Sequence, residues 1–238
     1  MVAVAFLVDF MAVGFFFYSY GVFFKAIATE FGDSRFGVAI GITLTQAVGA
    51  VLAPFIGRAL DRYPLKRIMA AGAISMGLGF CLVSLAETAM HFYLILACFI
   101  GFGAGAMGQL ATSKLVSNWF VLKRGMALGI AATGISVSGV IMPAVSAYLV
   151  AGIGWRQGFF VYGLITLILV VPLVLRFVIS RPEEIGQLPD GETESSRLPR
   201  TKAPLKTAEF LNNQNFWILV VIIGLLFCVQ GGTLIHMV

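Results

Sequence analysis

Of its 238 residues, 59% are hydrophobic and only 11% charged, and the mean hydropathy is +0.96, against roughly 45–50% apolar and ~25% charged in soluble domains. That balance excludes a water-soluble fold. The 16 Lys and Arg outnumber the 11 Asp and Glu, but no basic face is interleaved with aromatics. The expected partner is therefore a lipid bilayer and not a nucleic acid.

In chain order, hydropathy predicts seven spans at about 2–27, 37–57, 67–86, 91–113, 125–150, 156–178 and 216–238. Stretches such as Phe36 to Phe55 and Ile68 to Ala86 hold no charge at all. The first span lacks a basic flank and a small-residue cleavage site, so it is expected to be a mature helix and not a removed leader. It carries Asp9, placed ~12 Å along the helix at ~1.5 Å per residue and so inside a ~30 Å hydrocarbon core. An ionisable side chain at that depth defaults to a proton or substrate-coupling role. Tyr18 and Tyr20 on the first span and Gln46 on the second are further pathway candidates, because polar groups need partners in lipid. Lys25 sits at the helix end, where it can snorkel.

The second and third spans are joined by Gly57 to Arg67, GRALDRYPLKR. The fourth span carries Gly101, Gly105 and Gly108 on one face, then Gln109. The fifth carries Gly125, Gly129, Gly134 and Gly139 with Pro143, plus Thr133 and Ser136. Such glycines thin a helix for close packing, and proline permits a bend. Pro54 and Pro143 occupy like positions in spans two and five, as an inverted three-plus-three repeat would place them. Beyond span six, Ser180 to Asn215 is polar and holds Pro182, Pro189, Pro199 and Pro204, so it reads as a linker in which Leu205 to Phe210 is a short amphipathic turn at most. The expected organisation is a six-helix bundle over 1–178, a linker over 179–215 and a seventh helix over 216–238.

Loops after spans two, four and six hold 13 of the 16 basic residues, leaving only Lys25, Arg35 and Arg156 on the other face. That asymmetry predicts a cytoplasmic N-terminus and linker in a multi-pass cell-membrane protein, the inner membrane if the source is bacterial.

Gly57, Asp61, Arg62 and Lys66 resemble the loop signature of the major facilitator superfamily, although Pro64 and Leu65 depart from it. The resemblance implies that these four residues form a conformational gate in an all-α bundle. Tyr20 to Gly32, Asn118 to Pro143 and the Gly154 to Arg156 triplet GWR resemble the monocarboxylate porter and oxalate/formate antiporter group. Animal members carry a proton-handling lysine where Tyr18 stands here, so the likeness is to the bacterial type. What the resemblance implies is secondary transport of a small organic anion, a monocarboxylate or dicarboxylate, by proton symport or anion exchange. It also implies a partner in a second half that carries the anion's cationic anchor. A carrier of another small solute, a non-transporting membrane scaffold and a degenerate fragment are the alternatives.

Cys81, Cys98 and Cys228 lie in apolar runs without metal spacing and are expected to pack. His91 and His236 are expected to be interfacial or structural. No cofactor or metal is expected, and no enzyme: the chain has no P-loop or zinc helix motif, and Gly134 to Ser138 misses the serine elbow at its fifth position.

Overall fold

The computed structural model describes the backbone of residues 1–32, 35–190 and 213–236, and side chains over 1–32, 40–190 and 213–226. The described chain is helical and forms two compact units, Met1–Glu192 and Thr193–Val238.

In the first unit, α1 is Val2–Phe31, α2 Arg35–Arg62, α3 Leu65–Ser84 and α4 Ala89–Trp119. One hydrogen-bonded run then covers Arg124–Phe177, and Gly154 breaks it with φ 80 and ψ 167. Where the sequence predicted a short loop, the reversal into the sixth helix is made by this single residue, whose backbone conformation favours glycine. The run is therefore α5, 124–153, and α6, 155–177. All these helices are long and apolar enough to cross a membrane. The polar Gln187–Asp190 stretch, Pro64 and the α4–α5 connection mark one end of the unit, called here the basic end.

α3 is the central helix and buries Met69, Ala73, Met76, Phe80 and Val83. With no hydrophobic gain between helices in lipid, packing has to come from van der Waals contact and small residues. A methyl group at Gly72 would lie 2.8 Å from Ala106 Cβ on α4, and one at Gly77 2.7 Å from Leu167 on α6. Phe23, Phe80, Phe92, Trp155 and Phe159 fill the end opposite the basic one, with Phe23 and Phe159 centroids 4.6 Å apart.

Three helices contain a π turn: Gly14–Tyr18 in α1, Leu96–Ile100 in α4 and Thr166–Val170 in α6. In α1 Gly14 O accepts both the Ser19 N–H, the i→i+5 bond of the π turn, and the Ser19 hydroxyl at 2.8 Å. α4 is interrupted a second time at Gly108, φ −77 and ψ −150, and helix resumes at Gln109.

The second unit contains α7, Gln214–His236. The linker residues Pro199, Pro204 and Leu205 to Phe210, and the basic Arg197, Arg200, Lys202 and Lys206, lie outside the described residues.

Candidate functional site

The break at Gly108 determines what α4 shows to α1. Helix restarts at Gln109, so Gln109, Thr112 and Ser113 lie within one turn, and that turn faces Asp9. Asp9 is 2% exposed. The Thr112 hydroxyl lies 2.9 Å from Asp9 Oδ1 and 3.0 Å from Oδ2, with Gln109 O at 3.3 Å and Gly108 O at 3.4 Å. A hydroxyl has one proton and two lone pairs. Against an ionised Asp9, Thr112 donates to the carboxylate. Against a protonated Asp9, it accepts and turns its own proton to a backbone carbonyl of α4. In both states the Asp9–Thr112 hydrogen bond is kept.

A cavity of about 240 Å³ opens beside this pair, lined by Asp9, Gln109, Thr112, Ser113 and the α5 residues Leu128, Ala131 and Ala132. No cation lines it. Among the described residues no three His, Cys, Asp or Glu side chains group to hold a metal.

α1 reaches this position because α5 lets it approach. A methyl at Gly134 would collide with the Phe6 carbonyl oxygen, and at Gly139 it would lie 2.9 Å from Tyr18 Cζ. Gly101 and Gly105 similarly face α2, through Thr45 O at 2.9 Å and Ile56 at 2.9 Å. Gly125 and Gly129 meet nothing within 4 Å among the described residues, so they are open positions there and not helix contacts.

Of the sequence candidates, Asp9 and Gln109 share the cavity. Tyr18 packs on Gly139, and Tyr20 is buried among Phe16 and Phe92. Gln46, Thr133 and Ser136 are exposed on the unit's surface, with the Thr133 hydroxyl bonded to Ile130 O at 2.6 Å. Sequence reading passed over Thr112 and Ser113. The sequence offers only a weak signal for them, polar residues three and four positions after Gln109 and so on the same helical face; which helix they meet depends on the break at Gly108.

Two charged groupings bracket the unit. At the basic end Lys114 Nζ pairs with Asp61 and donates to Leu60 O at 2.8 Å, tying the end of α2 to α4. Arg62 is exposed beside it, and Lys66 N–H faces Ser180. At the other end the GWR triplet acts as a hub. Trp155 Nε1 and Arg156 Nε donate to the two oxygens of Glu30 at 2.5 and 2.8 Å, and Arg156 Nη1 donates to Ser84 O and Ala86 O at 3.1 and 2.6 Å. One guanidinium fork thus fastens the ends of α1 and α3 to the start of α6, a geometry that lysine cannot reproduce.

Comparison with known proteins agrees with this architecture. An MFS-type transporter of Gibberella moniliformis is 34% identical over 139 residues, 57% of this chain and 33% of the relative. Monocarboxylate transporter 14 of Mus musculus is 28% identical over 170 residues, 71% of this chain and 33% of the relative. MFS-type transporter pytF of Aspergillus terreus is 31% identical over 179 residues, 74% and 54% respectively. The matches thus span about a third to a half of these relatives' length. The Major Facilitator Superfamily family model matches residues 5–238, and the chain, a multi-pass membrane protein, belongs to that superfamily.

Proposed function

We propose that this chain is the first half of a secondary carrier that moves a small carboxylate together with a proton by alternating access, its basic end facing the cytoplasm. The observation that carries this reading is the buried Asp9 carboxyl, whose hydrogen-bond partner is a neutral hydroxyl, at the wall of a polar cavity. Unpaired ionisable groups at membrane depth are costly and mark proton and substrate routes. The Thr112 hydroxyl, free to donate or accept, keeps a hydrogen bond to Asp9 whether or not Asp9 carries a proton.

Charge decides between symport and exchange. An anion beside an ionised Asp9 would be repelled in a low-dielectric cavity, whereas beside a protonated Asp9 it gains a hydrogen-bond donor. Proton and anion therefore enter together. Gln109, Ser113 and Thr112 supply further neutral donors. The cationic anchor comes from the second half, as the resemblance to monocarboxylate porters implies, and the rocking of two halves around a midplane site completes the cycle. The name of the mouse relative supports the cargo class, and the basic asymmetry of the loops supports the orientation.

The test is occupancy. In the two-half carrier, with the native cysteines replaced by serine, lactate, formate or oxalate should saturably slow alkylation of Ser113→Cys in acid medium. A cysteine at the exposed Tyr148 should react at an unchanged rate. Alkylation of Ser113→Cys that no carboxylate slows would remove the cargo from this cavity.

A further inference from the structure

The chain that leaves α6 folds back onto the bundle. Val178 and Ser180 are buried, as are Pro182 and Pro189. Trp119 Nε1 donates to Ile179 O at 2.9 Å, Asn118 Nδ2 to Ser180 O at 2.8 Å and Lys66 N–H to Ser180 Oγ at 3.4 Å. A single helical turn, Pro182–Ile185, closes at Gly186 with φ 72. The chain then reaches the α4–α5 connection, where Asp190 N–H donates to Trp119 O at 3.2 Å and Asp190 pairs with Phe120 as a parallel bridge.

The Asp190 carboxylate spans that connection. Oδ1 accepts from Val121 N–H and from Leu122 N–H at 3.2 Å, and Oδ2 accepts from Lys123 N–H at 2.8 Å. These amides lead into the first turn of α5, where backbone donors lack intrahelical acceptors. Val121, Leu122 and Lys123 include no Ser, Thr, Asp or Asn that could cap the helix locally. Asp190, 67 positions downstream of Lys123, instead holds the N-cap amide of Lys123 and the two amides before it, and its charge also suits the positive end of α5. Desolvation of Asp190 works to raise its pKa, but the three amide donors and the Lys123 ammonium together outweigh it and hold the carboxyl below its usual value.

The geometry points to Asp190 as a positioning residue for the Asp9 cavity. Leu128, Ala131 and Ala132, the α5 wall, lie one to three turns beyond the capped amides. The opposite wall, Thr112 and Ser113, lies on the helix whose end carries Asn118 and Trp119. One strap, residues 178–190, thus fastens both walls at one end and sets their separation. The inference gains its functional meaning from the reading of the cavity as the cargo site, but its test does not depend on cargo.

The test uses the 238-residue chain in lipid nanodiscs, with Cys81, Cys98 and Cys228 replaced by serine, and two readouts: amide hydrogen exchange and alkylation of Ala132→Cys. Asp190→Ala should speed exchange about fivefold at Val121 to Lys123 and onward through Ala132, because the hydrogen bonds that hold the entry to α5 are lost. It should also change the alkylation rate severalfold, while amides of Phe159 to Tyr162 keep their parent rates. Asp190→Asn, which keeps one acceptor oxygen, should fall between. Faster exchange confined to Val121 to Lys123, with alkylation at the parent rate, would reduce Asp190 to a local cap and overturn the proposal. If Asp190→Ala exchanges throughout the chain, Asp190→Asn decides by the same two readouts. Should carboxylates fail to protect Ser113→Cys, the cargo reading falls while the alkylation shift stands, so the two failures are distinct.

Discussion

Asp9→Asn is expected to lower proton-driven uptake by the two-half carrier by roughly 100-fold, the scale on which a positioned proton-transfer group acts. Asparagine matches aspartate in volume, and its carbonyl oxygen can still accept from Thr112, which lies 2.9 to 3.0 Å from the carboxylate oxygens. It carries no exchangeable acid proton, so the neutral state becomes permanent. Cargo should still bind, because the repelling charge is gone, and counterflow of labelled against unlabelled carboxylate should persist where accumulation is lost. Uphill accumulation by Asp9→Asn at the parent rate would show that the proton travels elsewhere. Simultaneous loss of counterflow and of thermal stability would make Asp9 a structural residue.

The second large effect is at Gly134. A side chain there meets the Phe6 carbonyl oxygen with its first carbon, so no rotamer relieves the clash and α1 must move away from α5. Phe6 lies one turn before Asp9, so the displacement reaches the carboxyl and its Thr112 partner. Gly134→Leu should lower the melting temperature of the chain in detergent by roughly 5 °C or more and should remove uptake. Gly129→Leu on the same helix, where nothing lies within 4 Å, should leave both near the parent values. Equal effects at the two positions would show that helix propensity, and not the approach of α1, governs them.

These two positions also show what a sequence reader can see. The bundle of apolar helices was legible because charge-free runs of spanning length stand out in any hydropathy pass, and the loop Gly57 to Arg67 carried the family likeness. Asp9 stood out as a carboxylate within a span. Its partner did not, because the pairing of Asp9 with Thr112 spans 103 positions and depends on a break at Gly108 that no proline announces. The glycines of α5 looked equivalent in one dimension. Only packing separates Gly134, against Phe6, from Gly125 and Gly129, which face open space. Tyr18, Tyr20, Gln46, Thr133 and Ser136 carry polar atoms in apolar runs, and which cavity or surface such an atom faces depends on helix rotation, which the sequence does not display. Short-range hydrogen bonds, such as Thr133 to Ile130 O, satisfy it without one. Asp190 was hidden for a related reason: in a stretch of prolines and charges its carboxylate looks like linker composition, and only the fold brings it under α5.

Proton-coupled transport is tested most directly by uptake of labelled lactate, formate or oxalate into vesicles containing the two-half carrier, with the medium acidified relative to the lumen. Saturable uptake above the outside concentration is expected, with protons moving in step with the anion and accumulation collapsing when a protonophore dissipates the pH gradient. Uptake of the same size with and without the gradient would contradict it, because the proton on Asp9 would then do no work in transport.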